Sequence, residues 1–75
     1  MVADDPQVID AWFSLGNVHY RRGDFTTALS HFRQALALKP DYDLALINMA
    51  NAYRALGQDD EALAGYEHYL RVDPK

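Results

Sequence analysis

"AWFSLGNVHYRRGDF", residues Ala11 to Phe25, is the stretch on which the reading of this chain turns. Trp12, Leu15, Gly16 and His19 recur at the three- and four-residue spacing that places side chains on one face of a helix. "RRGD" then stops that helix: Gly23 suits a left-handed C-terminal position, and Asp24 is placed to cap a second helix starting at Phe25. Asn17 sits inside the first helix, although asparagine is a poor helix former that prefers caps and turns. Its presence asks for a reason beyond helix formation.

The same plan returns downstream. Pro6, Pro40 and Pro74 are spaced by 34 residues, and at that offset Ala11 matches Ala45, Asn17 matches Asn51, Gly23 matches Gly57, Ala28 and Leu29 match Ala62 and Leu63, and Leu36 matches Leu70. Apolar or aromatic pairs hold the same register at Trp12 and Leu46, Leu15 and Met49, and Phe32 and Tyr66. A register kept without gaps over nearly the whole chain marks an internal repeat. Within the first repeat, "FTTALSHFRQALAL" carries a second apolar face at Phe25, Ala28, Leu29, Phe32, Ala35 and Leu36, ended at Lys39 by Pro40. The second repeat copies this with Leu46, Met49, Ala50 and Tyr53, then Gly57, then Ala62, Leu63, Tyr66, Tyr69 and Leu70.

The pattern predicts an all-α fold of two stacked antiparallel hairpins, with helices near residues 8–22, 25–38, 42–56 and 59–72. Residues 1–8 read as a lead-in or the tail of a preceding repeat, 9–42 as the first repeat and 43–75 as the second. Gly16, Ala28, Ala50 and Ala62 fall on inward faces, so paired backbones are expected to approach to about 8 to 9 Å. Trp12, Phe32 and Tyr66 are expected to fill the wider gaps.

Composition removes several function classes. A chain of 75 residues makes one small domain of marginal stability. The net charge is −4 with charges scattered and no basic cluster, so neither nucleic acid nor an anionic membrane surface is an expected partner. Absence of cysteine removes disulfides, thiolate chemistry and most structural zinc sites. Apolar runs fall far short of a membrane span, and "MVADDP" does not read as a signal peptide. The reading is a soluble chain, the cytoplasm favoured and the compartment otherwise open.

Catalysis finds no support in the pattern. His19 lies on the buried face of one helix, while His31 and His68 lie on two different second helices, so no nucleophile, base and orienting group converge. Glu67 and His68 are adjacent and face apart, which offers no metal set. No catalytic residue, metal ligand or cofactor is expected. Asp59, Asp60 and Glu61 have a plain structural role at the start of the last helix, where the dipole favours negative charge.

Trp12, Leu15 and Gly16 in a W-x-x-L-G arrangement, followed by Ala28, Phe32, Ala35 and Pro40 on the 34-residue period, resemble the tetratricopeptide repeat over about residues 9 to 75. Two departures are visible: His19 stands where the pattern usually has tyrosine, and Tyr69 stands where the first repeat has Ala35. The resemblance implies an α-solenoid, a right-handed superhelix of stacked hairpins whose first helices line a concave groove that binds peptides.

Helical geometry offers a separate check on the groove. At about 100° per residue, Asp10, Phe13, Asn17, Tyr20 and Arg21 form a stripe away from the hairpin face, and Leu44, Ile47, Asn51, Arg54 and Ala55 form the same stripe one repeat later. Phe13, Tyr20, Leu44 and Ile47 are thus expected to be spare for recognition. Asn17 and Asn51 are read as a ladder about 10 Å apart, close to three residues of extended peptide, each amide offering a donor and an acceptor to a peptide backbone. The alternative reading has these asparagines solvated or bonded to neighbouring helices.

Asn17 and Asn48 also fall at the spacing of two asparagines in the two-carboxylate clamp of chaperone-binding tetratricopeptide domains. The clamp's first lysine would fall at Phe13 and its last basic residues in a third repeat, which argues against a chaperone tail as the ligand. "NMAN" at Asn48 to Asn51 is similar to the asparagine-lined superhelix of O-linked N-acetylglucosamine transferases, a likeness confined to the repeat region.

The competing expectation is self-association. Tyr69, Leu70 and Val72 are equivalent to Ala35, Leu36 and Leu38, which should pack on a following helix, and neither end shows a polar capping helix. The chain therefore reads as a piece of a longer array with adhesive ends, able to form a homo-oligomer by end-to-end stacking, besides binding a protein or peptide partner.

Overall fold

Turn chemistry sets the helix boundaries. The computed structural model describes residues 6–72, which form α1 (Pro6–Arg21), α2 (Phe25–Leu38), α3 (Asp43–Ala55) and α4 (Asp59–Val72), with no strand among the described residues. Every boundary lies within two residues of the sequence expectation. Most of the expected lead-in, as well as Asp73 and Pro74, lies outside the described residues.

Both hairpin turns use one device. Gly23 and Gly57 adopt φ of +80° and +78°, a region in which a side chain would be strained. After α1 the Gly23 N–H donates to the Tyr20 carbonyl (3.0 Å) and the Asp24 N–H to the His19 carbonyl (2.9 Å). After α3 the Gly57 N–H donates to Arg54 (3.0 Å) and the Gln58 N–H to Tyr53 (2.9 Å). This paired pattern satisfies carbonyls that the helix end leaves open. Asp24 then caps α2 by accepting from the Thr27 N–H. The connection from α2 to α3 is built differently: the Lys39 N–H closes α2 on the Ala35 carbonyl, Pro40 follows, and Asp43 opens α3.

Packing follows chain order. α1 lies along α2, α3 along α4, and α2 along α3, while α1 touches α3 only lightly. The molecule measures 36 × 29 × 17 Å, its thinnest dimension two helices deep. Burial concentrates in the middle: α2 contributes Ala28, Leu29, Phe32 and Ala35, α3 contributes Ala45, Leu46, Ala50 and Ala52, and the outer helices add Ile9 and Ala62.

Small residues allow the close approach within each hairpin. A Cβ on Gly16 would lie 2.5 Å from the Phe32 ring, and one on Gly65 would lie 2.9 Å from the Ala50 side chain. Leu15 departs from expectation, since it is 44% exposed although placed on the inner face. Its equivalent, Met49, is half-buried in a depression shared with Leu36 and Leu46, because α2 covers that side of α3 and no helix among the described residues covers the matching side of α1.

Candidate functional site

The light contact between α1 and α3 is made by polar and aromatic residues of the expected groove stripe. The Asn48 amide Nδ2 donates to Oδ1 of Asn17 at 2.8 Å, joining the first helices of the two repeats. Asn51, the equivalent of Asn17, is held inside its own hairpin, where its Oδ1 accepts from the Tyr66 hydroxyl. Both asparagines thus have partners on neighbouring helices, as the alternative reading of the sequence allowed.

Phe13 is not spare. Its ring lies 6.0 Å from that of Phe32 and 5.0 Å from that of Tyr42, so the start of α3 widens the buried arc of α1 beyond the face that contacts α2. Tyr20 stands edge-on to Phe25 at 5.2 Å, tying the end of α1 to the start of α2. Leu44 is 52% exposed, Ile47 is half-buried, and Arg21, Arg54 and Ala55 are exposed. The remaining open surface is therefore weighted toward α3.

At one end of the stripe Asp10, Ile9, Lys39 and Tyr42 line a depression of about 240 Å³. The Tyr42 hydroxyl donates to Oδ1 of Asp10 at 3.5 Å, and the Lys39 ammonium lies 5.2 Å above the Tyr42 ring. Burial raises the Tyr42 hydroxyl above its ordinary pKa, helped by the negative charge of Asp10, the hydrogen bond to it, and the charge of Asp43.

The two ends of the stack present apolar surface. On α4, Leu63 is 59% and Leu70 is 52% exposed, with Tyr69 and Val72 half-buried. At the opposite end Gln7, Val8, Ala11, Trp12 and Leu15 line a depression of about 350 Å³ on α1. The junction between them shows how such faces fit. There Leu29 is buried against the stack, and Nη2 of Arg33 donates to the Tyr53 hydroxyl at 2.7 Å while its guanidinium sits 5.9 Å above that ring.

One grouping escaped the sequence reading. The rings of His19 and His31 are 5.1 Å apart across the first hairpin, and Trp12 meets His31 from the other side at 5.6 Å. Assigning faces helix by helix kept these histidines separate, whereas interdigitation of α1 with α2 brings them together. Nδ1 of His19 also lies 3.7 Å from Asp24. Hydrogen bonding to Thr27 holds the Asp24 carboxyl below its ordinary range, and the nearby imidazole of His19 adds to this. Among the described residues no group of three or more His, Cys, Asp or Glu side chains is arranged to hold a metal, and no helix is long and apolar enough to cross a membrane.

Antiparallel helix pairs, stacked through the second helix of one and the first helix of the next, define a helical-repeat scaffold. The chain belongs to the tetratricopeptide repeat family, whose profile matches residues 19–75. It is 35% identical over 68 residues to Superkiller complex protein 3 of Mus musculus, covering 91% of this chain and 4% of that protein. It is 43% identical over 49 residues to Hsp70-Hsp90 organizing protein 1 of Arabidopsis thaliana, covering 65% of this chain and 9% of the relative. Against Photosystem I assembly protein Ycf3 of Synechococcus elongatus the identity is 43% over 74 aligned residues, covering 85% of this chain and 42% of the relative. The chain thus spans less than half the length of each of these proteins.

Proposed function

We propose that this chain is a non-catalytic protein-interaction scaffold that receives an extended peptide along the surface shared by α1 and α3. Relatives named as an organizing protein and an assembly protein support the general role. The observation that carries the peptide reading is the Asn17–Asn48 bond. It uses the oxygen of one amide and the nitrogen of the other. Nδ2 of Asn17 and Oδ1 of Asn48 are then positioned as a donor and an acceptor, the complement of one peptide unit. Leu44 and Ile47 supply apolar contact beside them, and Arg21 and Arg54 favour an acidic residue or a terminal carboxylate.

Selection from a displayed library of unstructured peptides, followed by titration of the best binder, tests this. Asn17→Ala with Asn48→Ala should weaken binding by about 1 to 3 kcal/mol, because polar atoms of the peptide lose their partners. Unchanged affinity in a variant that keeps its helicity rejects the amide-pair role.

The exposed ends favour a second reading, self-association. If α1 of one copy sat on α4 of another as α3 sits on α2, Leu63 and Leu70 would meet the depression along Ala11, Trp12 and Leu15. The Arg33–Tyr53 contact would become Glu67 facing His19, a carboxylate toward an imidazole. Tyr69 in place of the fully buried Ala35 makes this seat looser than the internal one. Sedimentation should show concentration-dependent association that is lost on Leu63→Lys with Leu70→Glu. A monomer up to millimolar concentration counts against this reading and leaves the peptide reading standing.

A further inference from the structure

We propose that His19 and His31 form a two-nitrogen site for a late first-row divalent cation, Cu²⁺ or Zn²⁺, that fastens α1 to α2. The first support is ring separation. Imidazoles bound at about 2.0 to 2.1 Å put their ring centres about 3.2 Å from an ion, so two of them at angles between 90° and tetrahedral stand about 4.5 to 5.2 Å apart. The His19 and His31 ring centres are 5.1 Å apart.

The second support is what each ring does with its other nitrogen. Nδ1 of His31 lies 3.1 Å from the Thr27 carbonyl, one turn back on α2. A carbonyl only accepts, so Nδ1 carries the hydrogen, and in the neutral ring the lone pair is on Nε2. Nδ1 of His19 lies 3.7 Å from the Asp24 carboxylate, beyond a direct hydrogen bond but on the side where that carboxylate can orient the ring. A backbone carbonyl behind one ring and a carboxylate behind the other is the outer arrangement that orients metal-binding histidines and makes them more basic.

Access fits as well. The His19 side chain is 26% exposed and His31 is half-buried, with Trp12 edge-on to His31 at 71° on the side away from His19. Since no third His, Cys, Asp or Glu joins them among the described residues, water or an outside ligand completes the shell. The site is private to the first hairpin, because Tyr53 and Gly65 occupy the equivalent positions in the second.

Tag-free protein titrated with CuSO₄ or ZnCl₂ alone should bind one ion per chain, Cu²⁺ more tightly than Zn²⁺, with a rise in melting temperature. Electron paramagnetic resonance of the Cu²⁺ form should show splitting from two imidazole nitrogens. His19→Tyr copies the residue that the second repeat uses at this position, so it preserves the fold. It should lower affinity at least tenfold, as should His31→Ala, whereas His68→Ala on α4 leaves binding unchanged. Asp24→Asn keeps the helix cap and should cost about 10- to 100-fold through loss of ring orientation. Absence of the two-nitrogen splitting, full binding by a helical His19→Tyr variant, or loss of binding on His68→Ala would each overturn the proposal.

Discussion

Helices α2 and α4 carry the same design and meet different fates. Leu29 and Leu63 are equivalent, yet the first is 4% exposed and the second 59%. Phe32 is fully buried, whereas Tyr66 is half-buried and uses its hydroxyl to hold Asn51. The cause is position in the stack: α2 is packed between α1 and α3, whereas among the described residues α4 is packed along α3 and has no helix following it on its outer face. Burial in a stacked repeat is a property of neighbours as much as of residues. Where a helix lacks a neighbour, its apolar stripe is left facing outward.

The strongest test of this contrast is to truncate the equivalent leucines. Leu29→Ala should cost about 2 to 5 kcal/mol, enough to unfold much of so small a domain, because it empties a closed site. Leu63→Ala should stay within about 0.5 kcal/mol. Denaturant titration at one low protein concentration measures both, and equal losses would break the comparison. If copies associate, the cost of Leu63→Ala should grow with protein concentration, which sharpens it.

A second contrast concerns how each hairpin closes. Gly16→Ala would drive a methyl to 2.5 Å from the Phe32 ring, and the expected loss is about 1 to 3 kcal/mol by thermal or chemical unfolding. Ala50 already occupies the equivalent position in the second repeat, where Gly65 on α4 provides the space instead.

Smaller effects come from the turns. Asp24→Ala removes the α2 cap and should lower the melting temperature at neutral pH, while Gln58→Ala at the equivalent position should change it less. The folded-state pKa of Asp24 is depressed, so its contribution is present above the ordinary aspartate value and is lost as pH falls through the folded value. The stability difference between wild type and Asp24→Ala should therefore shrink in acid.

Tyr42 gives the opposite sign and the smallest effect expected. Its folded pKa is raised, so its contribution holds below the ordinary tyrosine value of about 10 and is lost as pH rises through the folded value. Tyr42→Phe should flatten the alkaline limb of a pH–stability curve.

Much of this architecture was legible in one chain because local chemistry repeats. Gly23 and Gly57 mark the tight turns, Pro40 marks the end of α2, and the 34-residue register places four helices within two residues of their observed limits. These are decisions of backbone geometry, made over a few residues. The candidate surfaces were less legible. Helical periodicity assigned Phe13 to open surface, yet packing against Phe32 and against Tyr42 at the entry to α3 leaves it half-buried. It placed Asn17 and Asn51 in one role, yet one crosses to α3 and the other is held by α4. It kept His19 and His31 apart, yet interdigitation sets their rings 5.1 Å from each other. Periodicity states where a side chain points around its own axis. Which group stands opposite, and whether water is displaced, depends on how helices distant in sequence cross, and only the tertiary structure decided that.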